Sequence, residues 1–243
     1  MNISIPLIVL FALFSCSPIK TIAQSDSSYI RAISENLSGF YVKSLNTEAP
    51  VYTGKIYYKY PFKISNNGHS YFLESKFSKG NIFYDGKFYP DVSLLYDILQ
   101  DQLILLYHDN YSSIIPLKEK VARFSFLDRE FINVNSENPS LMPNGYYESL
   151  YKSNNVNLLA KRSKAIKKTV ESGAIQYSVI SADDYFLLKD GSINKVNKKR
   201  AFLKLLKRTG NQQYLKDNNL NFRRDKERWI IALAKYYDTK NSK

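Results

Sequence analysis

The apolar positions of this chain change period twice. Between Ser25 and Leu45, Tyr29, Ile33, Leu37, Phe40 and Tyr41 recur at spacings of three and four, which predicts a helix with one apolar stripe. Asp26 and Ser27 offer capping oxygens at its start, and Pro50 closes the region. From Val51 the period drops towards two. Asn67-Gly68 separates Pro61–Ser65 from His69–Leu73, Asp85-Gly86 separates Asn81–Tyr84 from Lys87–Tyr89, and Asp190-Gly191 separates Tyr185–Lys189 from Ser192–Val196. Such dipeptides supply the positive φ angles of two-residue hairpin turns. Val92–Leu99, Leu103–Tyr107, Phe131–Val134, Tyr146–Tyr151 and Val156–Ile166 are further strand candidates, the last alternating poorly. Val121–Phe126 places Ala122, Phe124 and Phe126 on one face, and Ile175, Tyr177 and Val179 alternate with polar residues. About ten consecutive strands without intervening helices predict an antiparallel meander.

The helical period then returns. Lys198–Arg208 carries Phe202, Leu203, Leu205 and Leu206 among its lysines, Gln212–Asn218 reads as a short helix ending in Asn-Asn, and Asp225 can cap a final helix. Trp229, Ile230, Leu233, Tyr236 and Tyr237 form the apolar face of that helix. Short helices of this kind must pack on each other or on the sheet. The predicted class is α+β: an antiparallel β-meander or curved sheet with an N-terminal helix and a small C-terminal helical module. The expected divisions are residues 1–23 as a signal peptide, 24–190 as the helix and β domain, and 191–243 as the basic helical module.

The signal is a hydrophobicity argument too. Ile3 to Ser15 is nearly all apolar, and Thr21-Ile22-Ala23 precedes Gln24, so cleavage is expected after Ala23. The run is shorter than the roughly 20 residues a span needs. Leu13-Phe14-Ser15 before Cys16 partly matches a lipoprotein box, although Phe fits the middle position poorly. The alternative is a lipoprotein anchored at Cys16. The expected location is the periplasm or the outer-membrane periphery.

Composition adds three constraints. Cys16 is the only cysteine, so a chain starting at Gln24 has no disulfide and no thiol nucleophile. The 20 Tyr and 14 Phe suit half-buried strand positions. The charge is uneven: Gly191 to Lys243 holds 15 Lys and Arg against 4 Asp and Glu, whereas Gln24 to Asp190 is nearly balanced. A basic end implies an anionic partner. The candidate binding residues are Lys198, Lys199, Arg200, Lys204, Lys207, Arg208, Arg223, Arg224, Lys226 and Arg228. Those from Arg223 to Arg228 oppose the dipole of the helix they begin, which favours a partner over local stability. The bland alternative is a solvated basic face, and the run Lys161, Arg162, Lys164, Lys167 and Lys168 invites the same two readings.

Catalytic chemistry is thinly represented. His69 and His108 sit in turn-like sequence, too few for a zinc site without several carboxylates. No nucleophile elbow, phosphate-binding loop or dinucleotide fingerprint occurs. Asp183-Asp184 and the pair Asp97 and Asp101 are candidates for glycosidase carboxylates, but read more simply as turn residues. No catalytic, metal or cofactor site is assigned.

One resemblance runs through most of the chain. Ala23-Gln24, Tyr52-Thr53-Gly54, Gly68-His69-Ser70-Tyr71-Phe72, the stretch from Gly80 to Tyr89, and Leu94-Leu95-Tyr96-Asp97 carry its first half. Leu158 to Arg162, Tyr185 to Gly191 and Tyr236-Tyr237-Asp238 carry its second. Together they resemble uncharacterised exported proteins of Bacteroidota. That resemblance implies a Gram-negative envelope location and no assigned activity. The expected function is a non-enzymatic binding or scaffolding protein. Its expected partner is an anionic envelope component (lipid head groups, lipopolysaccharide or peptidoglycan) or an envelope protein, not nucleic acid. The alternatives are a periplasmic carrier of lipid or another apolar ligand in a sheet-lined cavity, by analogy with half-barrel carriers, and a hydrolase using His69 or His108.

Overall fold

Turn chemistry sets two of the hairpins. In the computed structural model, which describes residues 49–171, 173–206 and 211–241, Asp85 and Gly86 have φ of 50° and 75°. Both are positive, as a type I′ turn requires, and they join β2 (Ser78–Tyr84) to β3 (Lys87–Asp97). Asp190 and Gly191, at 50° and 70°, do the same for β12 (Asp184–Lys189) and β13 (Ser192–Lys195). The hairpin expected at Asn67-Gly68 does not form. Asn66 and Asn67 take positive φ, but the flanking residues find other partners: Ile64 bridges Tyr177, Phe62 stacks on Tyr177 at 4.3 Å, and Tyr71 bridges Asp97. The predicted signal peptide, Cys16 and the helix Ser25–Leu45 lie outside the described residues.

The remaining strands are β1 (Gly54–Ile56), β4 (Gln102–Leu106), β5 (Ser113–Pro116), β6 (Val121–Phe126), β7 (Arg129–Val134), β8 (Gly145–Lys152), β9 (Val156–Lys161), β10 (Lys164–Glu171) and β11 (Ala174–Ser181). Of the thirteen strands, eleven form one antiparallel sheet in the order β1-β5-β4-β3-β2-β6-β7-β8-β9-β12-β13, and β10 and β11 form a separate ribbon. The fold is thus the expected antiparallel sheet with helices. Val156–Ile166 alternates poorly because it spans the break between β9 and β10. It also covers a strand buried on both faces: Leu158 and Ala160 face one core while Leu159 faces another. In β6 the predicted face is corrected. Tyr84 pairs with Val121 but Phe83 with Arg123, so Ala122 is the extra residue of a bulge and is exposed, while Val121, Phe124 and Phe126 are buried.

The sheet is strongly curved. From β3 to β7 is three strand spacings, roughly 14 Å in a flat sheet. Yet the Tyr96 and Phe131 rings lie 5.2 Å apart, and Tyr96 reaches Tyr146 on β8 at 5.8 Å. Phe72, Phe124 and Phe126 complete this cluster, which fills the concave side. The other half of that side, over β8, β9 and β12, is covered by helices α1 (Lys199–Leu205), α2 (Asn211–Asp217) and α3 (Lys226–Asn241). Trp229 is 1% exposed between Phe202 and Phe222, which ties the last helix to the remainder. Because β13 is a strand of the sheet, the expected division at residue 191 falls inside a hairpin, and the helical module starts at α1.

A carboxylate fastens the curl. Asp101, in the β3–β4 turn, accepts from the Lys118 and Lys161 ammonium groups and the Tyr96 hydroxyl, each at 2.6 Å. It thereby joins the β3–β4 turn to the segment before β6 and to β9. Gly145 has φ of 134°, and a Cβ there would collide with the Asp101 carboxylate and the Lys161 ammonium group. Burial disfavours the charged Asp101, but Lys161, Lys118 and Tyr96 outweigh it and hold its pKa below the ordinary 3.8. A depressed carboxylate stabilises the fold fully above its unfolded value and loses that contribution as pH falls through the folded one. Asp101→Asn should therefore be less stable than wild type at neutral pH. The gap, followed by urea unfolding, should narrow below the ordinary value of 3.8. A gap constant across that range would contradict the assigned ion pairing.

Candidate functional site

The predicted binding residues separate into two groups. Lys198, Lys199, Arg200, Lys204, Arg223, Arg224 and Arg228 are exposed, and among the described residues none of them makes a salt bridge. Lys207 and Arg208 lie outside the described residues. Lys226 differs. It is half-buried, its Nζ sits 4.5 Å from the centroid of the Tyr185 ring, and burial lowers its pKa. The expected conflict with the helix dipole is smaller than the sequence implied. Helix α3 starts at Lys226, so Arg223 and Arg224 stand in the preceding turn, where the Asn221 side chain accepts both their N–H groups. Asp225 caps the helix as expected, accepting from the Arg228 N–H at 3.1 Å, and Glu227 puts an acid in the first turn.

The module's four acids are engaged elsewhere. Glu227 pairs with Arg162 at 2.7 Å and accepts from the Tyr185 hydroxyl at 3.0 Å. Asp238 accepts from Tyr151 and Asn155, and Asp217 accepts from Gln213. Asp225 serves the helix backbone. Among the described residues Asp217, Asp225 and Glu227 form no ion pair with a module cation, and the lysines and arginines of the outer face stay exposed.

Arg162 is the group that sequence reasoning misplaced. The run from Lys161 to Lys168 looked like one basic patch, yet only Lys167 and Lys168 are solvent-facing lysines. Lys161 serves Asp101, and Lys164 donates to the carbonyls of His69 and Tyr71, both at 2.7 Å. Arg162 is buried and meets Glu148 at 2.5 Å, Asp183 at 2.7 Å and Glu227 at 2.7 Å. Glu148 is 1% exposed and is also held by Arg129 at 3.1 Å. The guanidinium pKa is raised: burial opposes the charge, but Glu148, Glu227 and Asp183 outweigh it. The signal was strand parity. Leu158, Ala160 and Arg162 share a face, as do Tyr146 and Glu148, and Ala160 pairs with Glu148.

Beside this cluster a cavity of about 380 Å³ opens on the concave side, lined by Phe72, Leu73, Ile98, Lys164 and Ser181 with the charged groups. Leu73 at its rim is 60% exposed with φ of 50°, held by a tight bond from the Glu74 N–H to the Phe72 carbonyl. This is a strained turn of the positive-φ kind. The other chemical candidates have structural partners. Asp97 is buried and accepts from the hydroxyls of Tyr57 and Tyr60 at 2.9 and 3.0 Å. Asp184 holds Lys195 and Asn197. His69 lies against Tyr71, and His108 packs edge-on against Tyr52 and Tyr107. No helix among the described residues is long and apolar enough to cross a membrane.

The chain matches no family model, and neither a curated protein nor a solved structure shows significant similarity to it.

Removing Arg162 would leave the buried Glu148 with the half-exposed Arg129 as its remaining cation. Breaking a buried pair by deleting one partner typically costs about 3–5 kcal/mol. Arg162→Met should lose stability on that scale in urea unfolding, and adding Glu148→Gln should restore much of it. A loss below about 1 kcal/mol for the single variant would mean that the cluster is not the anchor its burial indicates.

Proposed function

We propose that this protein is an exported, non-enzymatic envelope protein that docks on an anionic surface through its helical module. The observation that carries this is the division of charge within the module. Its acids are engaged by the sheet, the helix backbone and neutral side chains, while Lys198, Lys199, Arg200, Lys204, Arg223, Arg224 and Arg228 remain exposed. Lys216 on α2 is also exposed. Such a field attracts lipid head groups or other polyanionic envelope material without a dedicated pocket. Each Lys or Arg near an anionic membrane contributes about 1 kcal/mol, screened within a Debye length. Against the carrier reading, much of the concave side of the sheet, where an apolar ligand would be sheltered, is filled by Phe72, Tyr96, Phe124, Phe126, Phe131 and Tyr146, and the cavity left there is edged by Arg129, Arg162, Lys164, Asp183 and Glu227. Lys226, turned onto Tyr185, is left out of the docking face.

The protein should sediment with phosphatidylglycerol vesicles at low salt and be released at high salt. Neutral phosphatidylcholine vesicles should not retain it. Reversing Lys199, Arg200, Arg223 and Arg224 to glutamate should weaken binding on the order of a hundredfold or more, with circular dichroism unchanged. Wild type that ignores anionic vesicles at low salt, or binds them equally at high salt, would overturn the proposal.

A further inference from the structure

The docking face contains a pocket. Asn219, two residues past the end of α2, has φ of 50°, and the Leu220 N–H turns back to the Leu215 carbonyl at 2.9 Å while the Asn219 N–H reaches the Lys216 carbonyl at 3.0 Å. This left-handed cap folds Leu220 against Leu215 and opens the angle between α1, α2 and α3. The open cleft between them measures about 480 Å³. Its apolar wall is Leu203, Leu215, Leu220 and Trp229, and Lys199 and Lys216 stand beside it with Asn219 and Asn221. No carboxylate belongs to its described lining. A cleft that sets apolar side chains beside a few convergent polar groups has the make-up of a small-molecule site. Here the polar groups are two asparagines and two exposed cations on the basic face.

We propose that this pocket takes one anionic phospholipid. The leading part of an acyl chain lies on the half-buried Leu203 and Leu220, above Leu215 and Trp229, and the phosphate pairs with Lys199 and Lys216. The occupant is set by charge complementarity together with the apolar wall. An inorganic anion would leave the wall unused, and a zwitterionic lipid would bring its own quaternary ammonium cation against the two lysines, which opposes its phosphate's attraction. This inference rests on the docking reading and adds a specific lipid site to a diffuse electrostatic attraction. It does not need a membrane surface, which makes the two separable.

Trp229 is the only tryptophan in the chain and lines the pocket, so it reports directly. The full chain is titrated with a short-chain phosphatidylglycerol kept below its micelle-forming concentration. The same titration is run with the matching phosphatidylcholine and with inorganic phosphate. Trp229 emission and native mass spectrometry are read in parallel. A saturable, one-to-one response to phosphatidylglycerol is expected, with at least tenfold weaker responses to the other two. Leu203→Phe, which fills the pocket with an apolar ring, should lose this response while still sedimenting with phosphatidylglycerol vesicles. Lys199→Gln with Lys216→Gln should weaken it about tenfold or more. An equal response to inorganic phosphate, an equal response to phosphatidylcholine, or no one-to-one complex would each overturn the lipid site, whatever the vesicles show. Loss of vesicle sedimentation with the one-to-one complex intact would overturn the docking reading alone.

Discussion

The buried Arg162 guanidinium is the contact on which the arrangement of this protein depends. It is held by carboxylates from three places: Glu148 on β8, Asp183 just before β12, and Glu227 in the first turn of α3. Taking these charges out of water is costly, and an apolar replacement of the same shape is often as stable. What an ion cluster provides is direction. A guanidinium satisfied on several edges fixes where α3 meets the sheet, while an apolar face would slide. The cluster also marks a boundary on the concave side. The aromatic rings of the curled half lie on one side of it, and the helix-covered half with Trp229 lies on the other.

Docking of this kind explains the charge layout. Glu227 faces inward onto Arg162 and cannot neutralise the arginines that precede it in sequence. Asp238, near the other end of α3, reaches Tyr151 and Asn155 on the sheet side. Helix α3 is thus fastened by its own two acids, Glu227 and Asp238, and the lysines and arginines of α1 and the turn before α3 are left outside. Stability and surface charge come from the same few residues. The cap at Asn219 works on the same scale, since the turn that closes α2 also shapes the pocket above Trp229.

Local chemistry was legible in the sequence wherever it was self-sufficient. Asp85-Gly86 and Asp190-Gly191 form their turns because the strands beside them have no better partners than each other. Asp225 caps α3, and Trp229 is buried, because a cap and an apolar stripe are local properties. Asn67-Gly68 carried the same signal and failed, since Phe62 and Ile64 pair with Tyr177 on the distant ribbon. The Ala122 bulge inverts one predicted face and depends on how Tyr84 pairs, which no spacing within β6 encodes. Arg162, Lys161 and Lys164 read as a surface patch because their carboxylates and carbonyls come from elements far away in sequence. The exposed cations were legible as residues. The reason they stay unpaired, the inward engagement of the acids, needed the fold.

Native-state hydrogen exchange tests the anchoring most directly. If the Arg162 cluster makes the helical module and the sheet one cooperative unit, the interior amides of α3 will open with the same free energy and the same denaturant dependence as those of β9 and β12. If α3 instead exchanges through a lower-energy opening while β9 and β12 stay protected, the module is only loosely attached. The basic face would then not be held in place by the buried charges.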